Sequence, residues 1–369
     1  MNFLKRLTCF VLVIAFLGCV PVMAVGTSAD ASIAIDALTG EVICEKNSRM
    51  RLGMASTTKI MTAILALEHG GMDEVVKIDP RAIGVEGSSL YLEEGDEMKF
   101  GTLLHAMMLR SANDGATAVA LHIAPSVEEF AKMMTEKARD LGLRDTNFKN
   151  PHGLHEEGHY TSAYDLAQIT RYGFTLPGFA EIVSSESFKV DADVHTKYVT
   201  NNNKLLNMYD GADGVKTGYT PETGRTLVGS ATRDGMRIIT VTLNDREDWN
   251  DHIAMFNYGF DNFKSFSLAE KGHGYGCVQV KGGEASEISV VAAEDFGVLL
   301  DKNATVSTRV SVFEEQIKAP VEKGRVLGKM EFYEGEVSIG SVDLVAAEDM
   351  PREKKGNIFF RIINWIMGK

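Results

Sequence analysis

The sequence predicts an α+β chain: helices framed by antiparallel strands, followed by a small all-β unit. Three observations carry that expectation. Strand pairs with hairpin turns bracket a long stretch rich in helix formers. After Phe263 the helical pattern stops, and short β-rich runs separated by glycines and charged turns replace it. A chain of 369 residues also exceeds one ordinary core, so two units with appendages are expected.

The first residues read as a targeting segment. Lys5 and Arg6 precede an almost wholly apolar run from Leu7 to Val20, and Val22-Met23-Ala24 satisfies the small-residue rule for cleavage. The run falls short of the ~20 residues a spanning helix needs. Residues 1–24 are therefore expected to be a signal peptide, and the chain to be exported.

Ser32–Asp36 and Glu41–Glu45 alternate like half-buried strands around the turn Leu38-Thr39-Gly40. A helix follows Ala55-Ser56 and stops at Gly70-Gly71. Residues 101–124 are helical in pattern but broken at Ser111–Gly115, and residues 126–141 form another helix. Ser162 and Asp165 mark a capped helix start. Gly214–Tyr219 reads as a strand. Thr226–Thr232 and Met236–Leu243 form a hairpin around Asp234-Gly235, and residues 250–260 form a closing helix. Four β-rich runs then stand out: 277–280, 288–291, 306–312 and 337–345. They suggest a sandwich. Finally, Ile358–Met367 is apolar except for Arg361 and Asn364, which share one helical face with Asn357. Behind the polar stretch Pro351–Lys355, this tail suits a helix lying in a membrane surface. The expected layout is a leader at 1–24, a catalytic domain at 25–264, an all-β domain at 265–349, and a linker with an amphipathic anchor at 350–369.

Composition excludes some functions. With 38 Lys+Arg against 51 Asp+Glu, net −13, the chain is a poor non-specific partner for nucleic acid. Without the leader, Cys44 and Cys277 remain. They are too few and too distant for a disulfide framework, and each is expected as a small buried hydrophobe. No CxxC or HExxH pattern announces a metal site.

Three motifs carry chemistry. In Ser56-Thr57-Thr58-Lys59, the start of a helix puts Ser56 and Lys59 on one face, with backbone N–H groups beside the hydroxyl. A serine hydroxyl needs a base in reach, and a lysine serves once its pKa is lowered. In Ser111-Ala112-Asn113, at the helix break, Ser111 can relay a proton from Lys59 and Asn113 can grip an amide through both its donor and its acceptor. In Lys216-Thr217-Gly218, on a strand, Lys216 brings positive charge and Thr217 a hydroxyl for a carboxylate. Gly218 leaves room for close approach, and the Tyr219 N–H can complete an oxyanion hole with the Ser56 N–H.

The motifs lie 55 and 105 residues apart, in the order and setting known for β-lactamases and penicillin-binding proteins. Together with Asn150-Pro151-His152-Gly153, His159–Ala163, Asp213–Thr220 and Leu227–Arg237, the sequence resembles the low-molecular-mass penicillin-binding proteins that are D-alanyl-D-alanine carboxypeptidases. The resemblance spans essentially the whole chain after the leader. It implies a transpeptidase/β-lactamase-like catalytic domain, an antiparallel sheet flanked by helices plus a helical subdomain. It implies a peptidoglycan stem peptide ending in D-Ala-D-Ala as substrate, β-lactams as covalent inhibitors, and no metal or organic cofactor. Met54 and Ala112 replace a proline and a glycine common in the family, and neither touches a reacting group. Some members carry an arginine upstream of the third motif; here that stretch is Asn201-Asn202-Asn203-Lys204, leaving carboxylate binding to Thr217 and Lys216. His152 and His159 are expected to organise their loop, and Asp114 its local backbone. Rival readings are a DD-endopeptidase, a class A-like β-lactamase drawing on Glu156 or Glu157, and a non-catalytic penicillin sensor.

Overall fold

The structure, a computed structural model, describes residues 25–192 and 194–353. The segments expected to be a leader and an anchor helix, with the end of the expected linker, lie outside the described residues.

The chain opens with β1 (Ala31–Asp36) and β2 (Val42–Lys46). A short 3-10 helix over Ala55–Thr58 runs into α1 (Lys59–His69). The minor ribbon β3 (Val75–Lys77) and β4 (Glu97–Lys99) leads to α2 (Phe100–Arg110), α3 (Asn113–Ile123) and α4 (Val127–Asp140). Next come α5 (Ala163–Gly173), α6 (Phe179–Ser184), the ribbon β5 (Ser187–Lys189) with β6 (Tyr198–Thr200), and α7 (Leu205–Met208). Three long strands return: β7 (Ala212–Thr220), β8 (Gly224–Arg233) and β9 (Met236–Leu243), closed by α8 (Asp248–Asn262).

These strands form one antiparallel sheet in the order β2-β1-β9-β8-β7. Its inner strands are buried on both faces, so their residues divide between two cores. Ile33, Ile35, Ile239 and Val241 pack towards the helical block. Ala34, Ile43, Leu227 and Ile238 pack on Phe256 and Met255 of α8. Polar residues on that second face need partners. Thr240 and Thr242 find one in His252 of α8, at 2.6 and 3.1 Å. A side chain at Gly229 would strike His252 Nδ1, hence the glycine there. The β8–β9 hairpin turns through Asp234 (φ 51°) and Gly235 (φ 82°), the left-handed pair that the sequence signals.

Helix ends follow their caps. The Ser126 and Ser162 side chains accept from Glu129 N and Asp165 N, fixing where α4 and α5 begin.

The second unit is wholly β: β10 (Phe263–Ala269), β11 (Gly274–Lys281), β12 (Glu287–Ala292), β13 (Phe296–Asp301), β14 (Val306–Val312), β15 (Gln316–Lys318), β16 (Val326–Glu334) and β17 (Val337–Ala346). A six-stranded sheet, β14-β16-β17-β12-β11-β15, lies with the ribbon β10-β13 around one core holding Val278, Ile288, Phe332 and Leu344. One expectation fails. Cys277 is exposed, because the alternation of β11 sends Val278 and Val280 inward and Cys277 outward. Cys44 is buried as expected, and burial pushes its thiol up to about 12.

Candidate active site

Ser56 sits in the 3-10 turn ahead of α1, not in the α-helix proper. The turn is held from below. Met54 O accepts from Thr57 N at 3.2 Å and from the Thr226 hydroxyl at 3.0 Å. Ala55, directly before the nucleophile, has φ +45°, a conformation costly for any residue with a Cβ and therefore one imposed by its surroundings. Gly153 presses on it: a Cβ there would fall 1.8 Å from Ala55 O. Its φ of +91° and this contact both require glycine. The loop at 150–153 is thus a wall of the site, tied to α1 by Thr62 Oγ1 donating to Pro151 O at 2.6 Å.

Lys59, the first residue of α1, is fully buried. Its Nζ lies 3.1 Å from Ser56 Oγ, 2.7 Å from Asn113 Oδ1 and 2.7 Å from His152 O. Burial first, then the charge of Lys216, and against them the pull of Asp114, hold its pKa well below that of an ordinary lysine. A neutral amine has two N–H donors and one lone pair. Asn113 Oδ1 and His152 O take the two donors, which leaves the lone pair facing the Ser56 hydroxyl.

Ser111 caps α2 in the left-handed region, φ +62°, and is nearly buried at the mouth of the site. Asn113 opens α3. Its Oδ1 accepts from Lys59 and its Nδ2 donates one of its two hydrogens to Glu86 O at 2.5 Å, so each end is anchored once within the protein. The second Nδ2–H and the second lone pair of Oδ1 are the ones left for the expected two-ended grip on a substrate amide. Asp114 plays the structural part expected: its carboxylate receives Ser89 Oγ and the N–H groups of Leu90, Leu92 and Gly115, which pins the 86–92 loop over Asn113.

The third motif lies on β7, an edge strand. Gly218 backs onto the nucleophile: a Cβ there would sit 2.9 Å from Ser56 N and 3.1 Å from Thr57 N. Lys216 is 2% exposed, with Nζ 3.0 Å from Thr217 O, and burial lowers its pKa to about 7. Tyr219 is exposed. Ser56, Ser111, Thr217, Gly218 and Tyr219 share one open cleft of about 590 Å³.

The histidines organise the loop as expected. His159 lies 2.8 Å from Thr58 Oγ1 through Nε2 and accepts from Lys149 N at Nδ1. Burial lowers its pKa to about 4, and that of His152 to about 3. Glu156 accepts from Asn150 Nδ2 at 3.3 Å, and Glu156 and Glu157 line a neighbouring groove with Glu222 rather than the Ser56 cleft. Among the described residues, no cluster of three or more His, Cys, Asp or Glu side chains is disposed to hold a metal ion.

Sequence reasoning missed several residues of the cleft. Ser88 arrives on a loop with no pattern of its own, two residues after Glu86, whose carbonyl accepts from Asn113. Asn202, Lys204, Arg225, Asp248 and Trp249 come from the α7 approach, the start of β8 and the start of α8. The sequence names Asn202 and Lys204 only as the stretch upstream of the third motif and gives them no role; no motif flags the others, and only the pairing of β7 with β8 brings Arg225 opposite Tyr219.

Comparison with known proteins agrees with this geometry. Residues 21–247 match the D-alanyl-D-alanine carboxypeptidase family, and residues 263–352 match the C-terminal domain of penicillin-binding protein 5. The D-alanyl-D-alanine carboxypeptidase DacF of Bacillus subtilis is 34% identical over 343 residues, 90% of this chain and 88% of that protein. Penicillin-binding protein 5 from Haemophilus influenzae superposes with a TM-score of 0.74 at 28% identity, covering 90% of this chain and all of that one. The Streptomyces K15 DD-transpeptidase, at 29% identity and a TM-score of 0.61, covers 65% of this chain and 99% of its own.

Proposed function

The chain belongs to the D-alanyl-D-alanine carboxypeptidase family, and from that premise we propose how its residues divide the work. It is a serine-type D-Ala-D-Ala carboxypeptidase, a cell-wall hydrolase of the penicillin-binding protein class. Neutral Lys59 takes the Ser56 proton as Oγ attacks the carbonyl of the penultimate D-alanine of a peptidoglycan stem peptide. The N–H groups of Ser56 and Tyr219 receive the oxyanion. Lys59 then returns the proton through Ser111 to the departing amine, terminal D-alanine leaves, and water hydrolyses the acyl-Ser56 ester. Asn113 acts chiefly by holding Lys59. Lys216 keeps Lys59 neutral, and Gly218 lets the substrate lie along β7. A β-lactam acylates the same Ser56. The observation that carries this reading is the environment of Lys59 Nζ: two carbonyl acceptors at 2.7 Å and the serine oxygen at 3.1 Å.

The same reading makes 25–264 the catalytic domain and 265–349 the supporting β domain. It places the enzyme on the outer face of the cytoplasmic membrane, held by the tail that ends at Lys369. Deleting residues 352–369 should release an active, soluble protein; continued partitioning into membranes would refute the anchor.

The test is release of free D-alanine from a peptide ending Lys-D-Ala-D-Ala by the mature protein and by Ser56→Ala. Loss of roughly 10⁴-fold or more in the variant is expected. Equal release by both would remove Ser56 from its role.

A further inference from the structure

Both large sheets end on edge strands, and three of the four edges are accounted for. β7 faces the cleft. β2 is short, and its pairing with β1 slips at Ala34/Ile35. β15 has three residues and runs into Ala319-Pro320. β14 is different. It pairs with β16 residue for residue from Val306 to Val312, with no bulge and no proline. An exposed strand of that kind is a template for another strand unless charge, proline or a bulge blunts it. Its one charge, Arg309, lies over the Tyr333 ring at 5.1 Å, drawn back onto its own sheet. Val310, Val312 and Phe313 are 47%, 42% and 63% exposed.

Phe313 N donates to Leu327 O at 2.9 Å, which fixes the phase of the ladder. Alternate residues of an antiparallel strand bond to the neighbour. Residues 307, 309, 311 and 313 therefore face β16, and the N–H and C=O groups of Val306, Thr308, Val310 and Val312 point outward. Thr308 lies opposite Phe332 and Val310 opposite Met330, both buried, so these side chains share the inner face of the sheet. The edge is the open margin of the β core.

This edge also complements itself. A second β14 can lie antiparallel to the first with Thr308 opposite its own copy, so that the outward groups bond each other. Val306 of one copy then meets Val310 of the other, Ala304 meets Val312, and Lys302 meets Glu314. Lys302 gives one N–H to Phe260 O at 2.8 Å and keeps two, and Glu314 is exposed. Centring on Arg309 instead would set two guanidiniums face to face, and centring on Ser307 or Val310 parts the lysine from the glutamate.

We propose that β14 is a homodimer surface on which two copies of this chain join edge to edge, antiparallel about Thr308. The contact is two-fold and self-complementary, continues the sheet from one copy into the other, and covers the exposed valines. It does not depend on the catalytic reading, since the residues lining the Ser56 cleft all precede residue 250. One strand pair is smaller than the ~1,200 Å² of a standard interface, so the dimer should form and dissociate with concentration.

The experiment is disulfide trapping with the full mature chain in detergent, in a Cys277→Ser background that leaves buried Cys44 as the other thiol. Facing residues in a bonded antiparallel pair stand about 5.5 Å apart at Cα, within disulfide range. Thr308→Cys should give a covalent dimer under a mild oxidant. Val310→Cys should not, whereas Val306→Cys with Val310→Cys should. Glu314→Lys should slow trapping of Thr308→Cys roughly fivefold, and adding Lys302→Glu should restore it. Release of D-alanine by each variant, matched to the parent, reports that the chain is folded. No dimer from folded Thr308→Cys overturns the proposal and leaves the edge to a strand of another protein. Equal trapping of Thr308→Cys and Val310→Cys overturns it too, as random collision. A second reading needs no cysteine: the average mass of the unaltered mature chain should rise with concentration towards a dimer, and Val310→Lys should hold it at the monomer. Equal association by both would also overturn the assignment.

Discussion

The two halves of the chain bury different chemistry. Among the described residues, every polar or charged side chain that is buried lies before residue 253, including Lys59, Asn113, Asp165, Lys216 and His252. Beyond it, the buried set is apolar: Val278, Ile288, Met330, Phe332, Val342 and Leu344 with their neighbours. Burying an ammonium or imidazole costs stability unless partners are built for it. The catalytic half accepts that cost because a lysine becomes a base only once it is dry. The β half, with no such task, keeps an ordinary alternating core. Mutations should therefore separate the two: function without stability in one, stability without function in the other.

The sharpest break is Lys59→Met. Loss of the base should reduce D-alanine release roughly 10³-fold or more. The thermal midpoint should hold or rise, since an apolar side chain of similar length replaces a desolvated amine. Retained turnover, or collapse of the fold, would contradict the contrast. Phe332→Ala should do the reverse. Phe332 is fully buried and stacked on Phe296 at 5.2 Å. Its truncation should cost about 3–5 kcal/mol in denaturant unfolding. Release of D-alanine by the folded fraction should stay within about twofold. A specific fall in kcat would mean that the β domain shapes the cleft.

The same contrast explains what could be read in advance. Ser56, Lys59, Ser111, Asn113 and Lys216 were legible because each sits in a short motif whose local structure, a turn before a helix, a helix break or a strand, the sequence itself dictates. The partner of Asn113 was not. Its donor reaches Glu86 O only because Asp114 draws the 86–92 loop across it, a tertiary event. In the β half, the four clearest runs of alternation were found. β10, β13, β15 and β16 escaped. β15 has three residues, and β16 carries Gly328, where a side chain would strike Ser311 O of the neighbouring strand. The described residues end at Glu353, so the tail rests on its sequence pattern alone.

Acid should tell the halves apart by a smaller margin. Burial lowers His159 to about 4, and His152 and His252 to about 3. The unfolded chain takes these protons near the usual 6.5, whereas the folded chain does so only at the lowered values. Stability must therefore fall as pH drops from about 6.5 towards 4, by roughly 2 kcal/mol per imidazole at pH 5. All three lie in the catalytic half. Hydrogen exchange on acidification should open α8 and the 150–165 loop before β16 and β17. Simultaneous opening of both halves would show that they unfold as one unit.

The finest test concerns how the site keeps its base neutral. Two causes lower Lys59, burial foremost and the charge of Lys216 second. The active form is the neutral amine, so kcat/KM should rise with pH through the lowered value. Lys216→Gln removes the second cause and leaves the first. The protonated amine is then less penalised, the pKa of Lys59 rises, and the acid limb of the kcat/KM profile moves to higher pH. If Lys216 served only to hold substrate, the same variant would raise KM and leave the limb where it was. A limb that moves to lower pH would mean that another group titrates there. The direction of that shift thus decides whether the third motif acts on the substrate alone or also through the first.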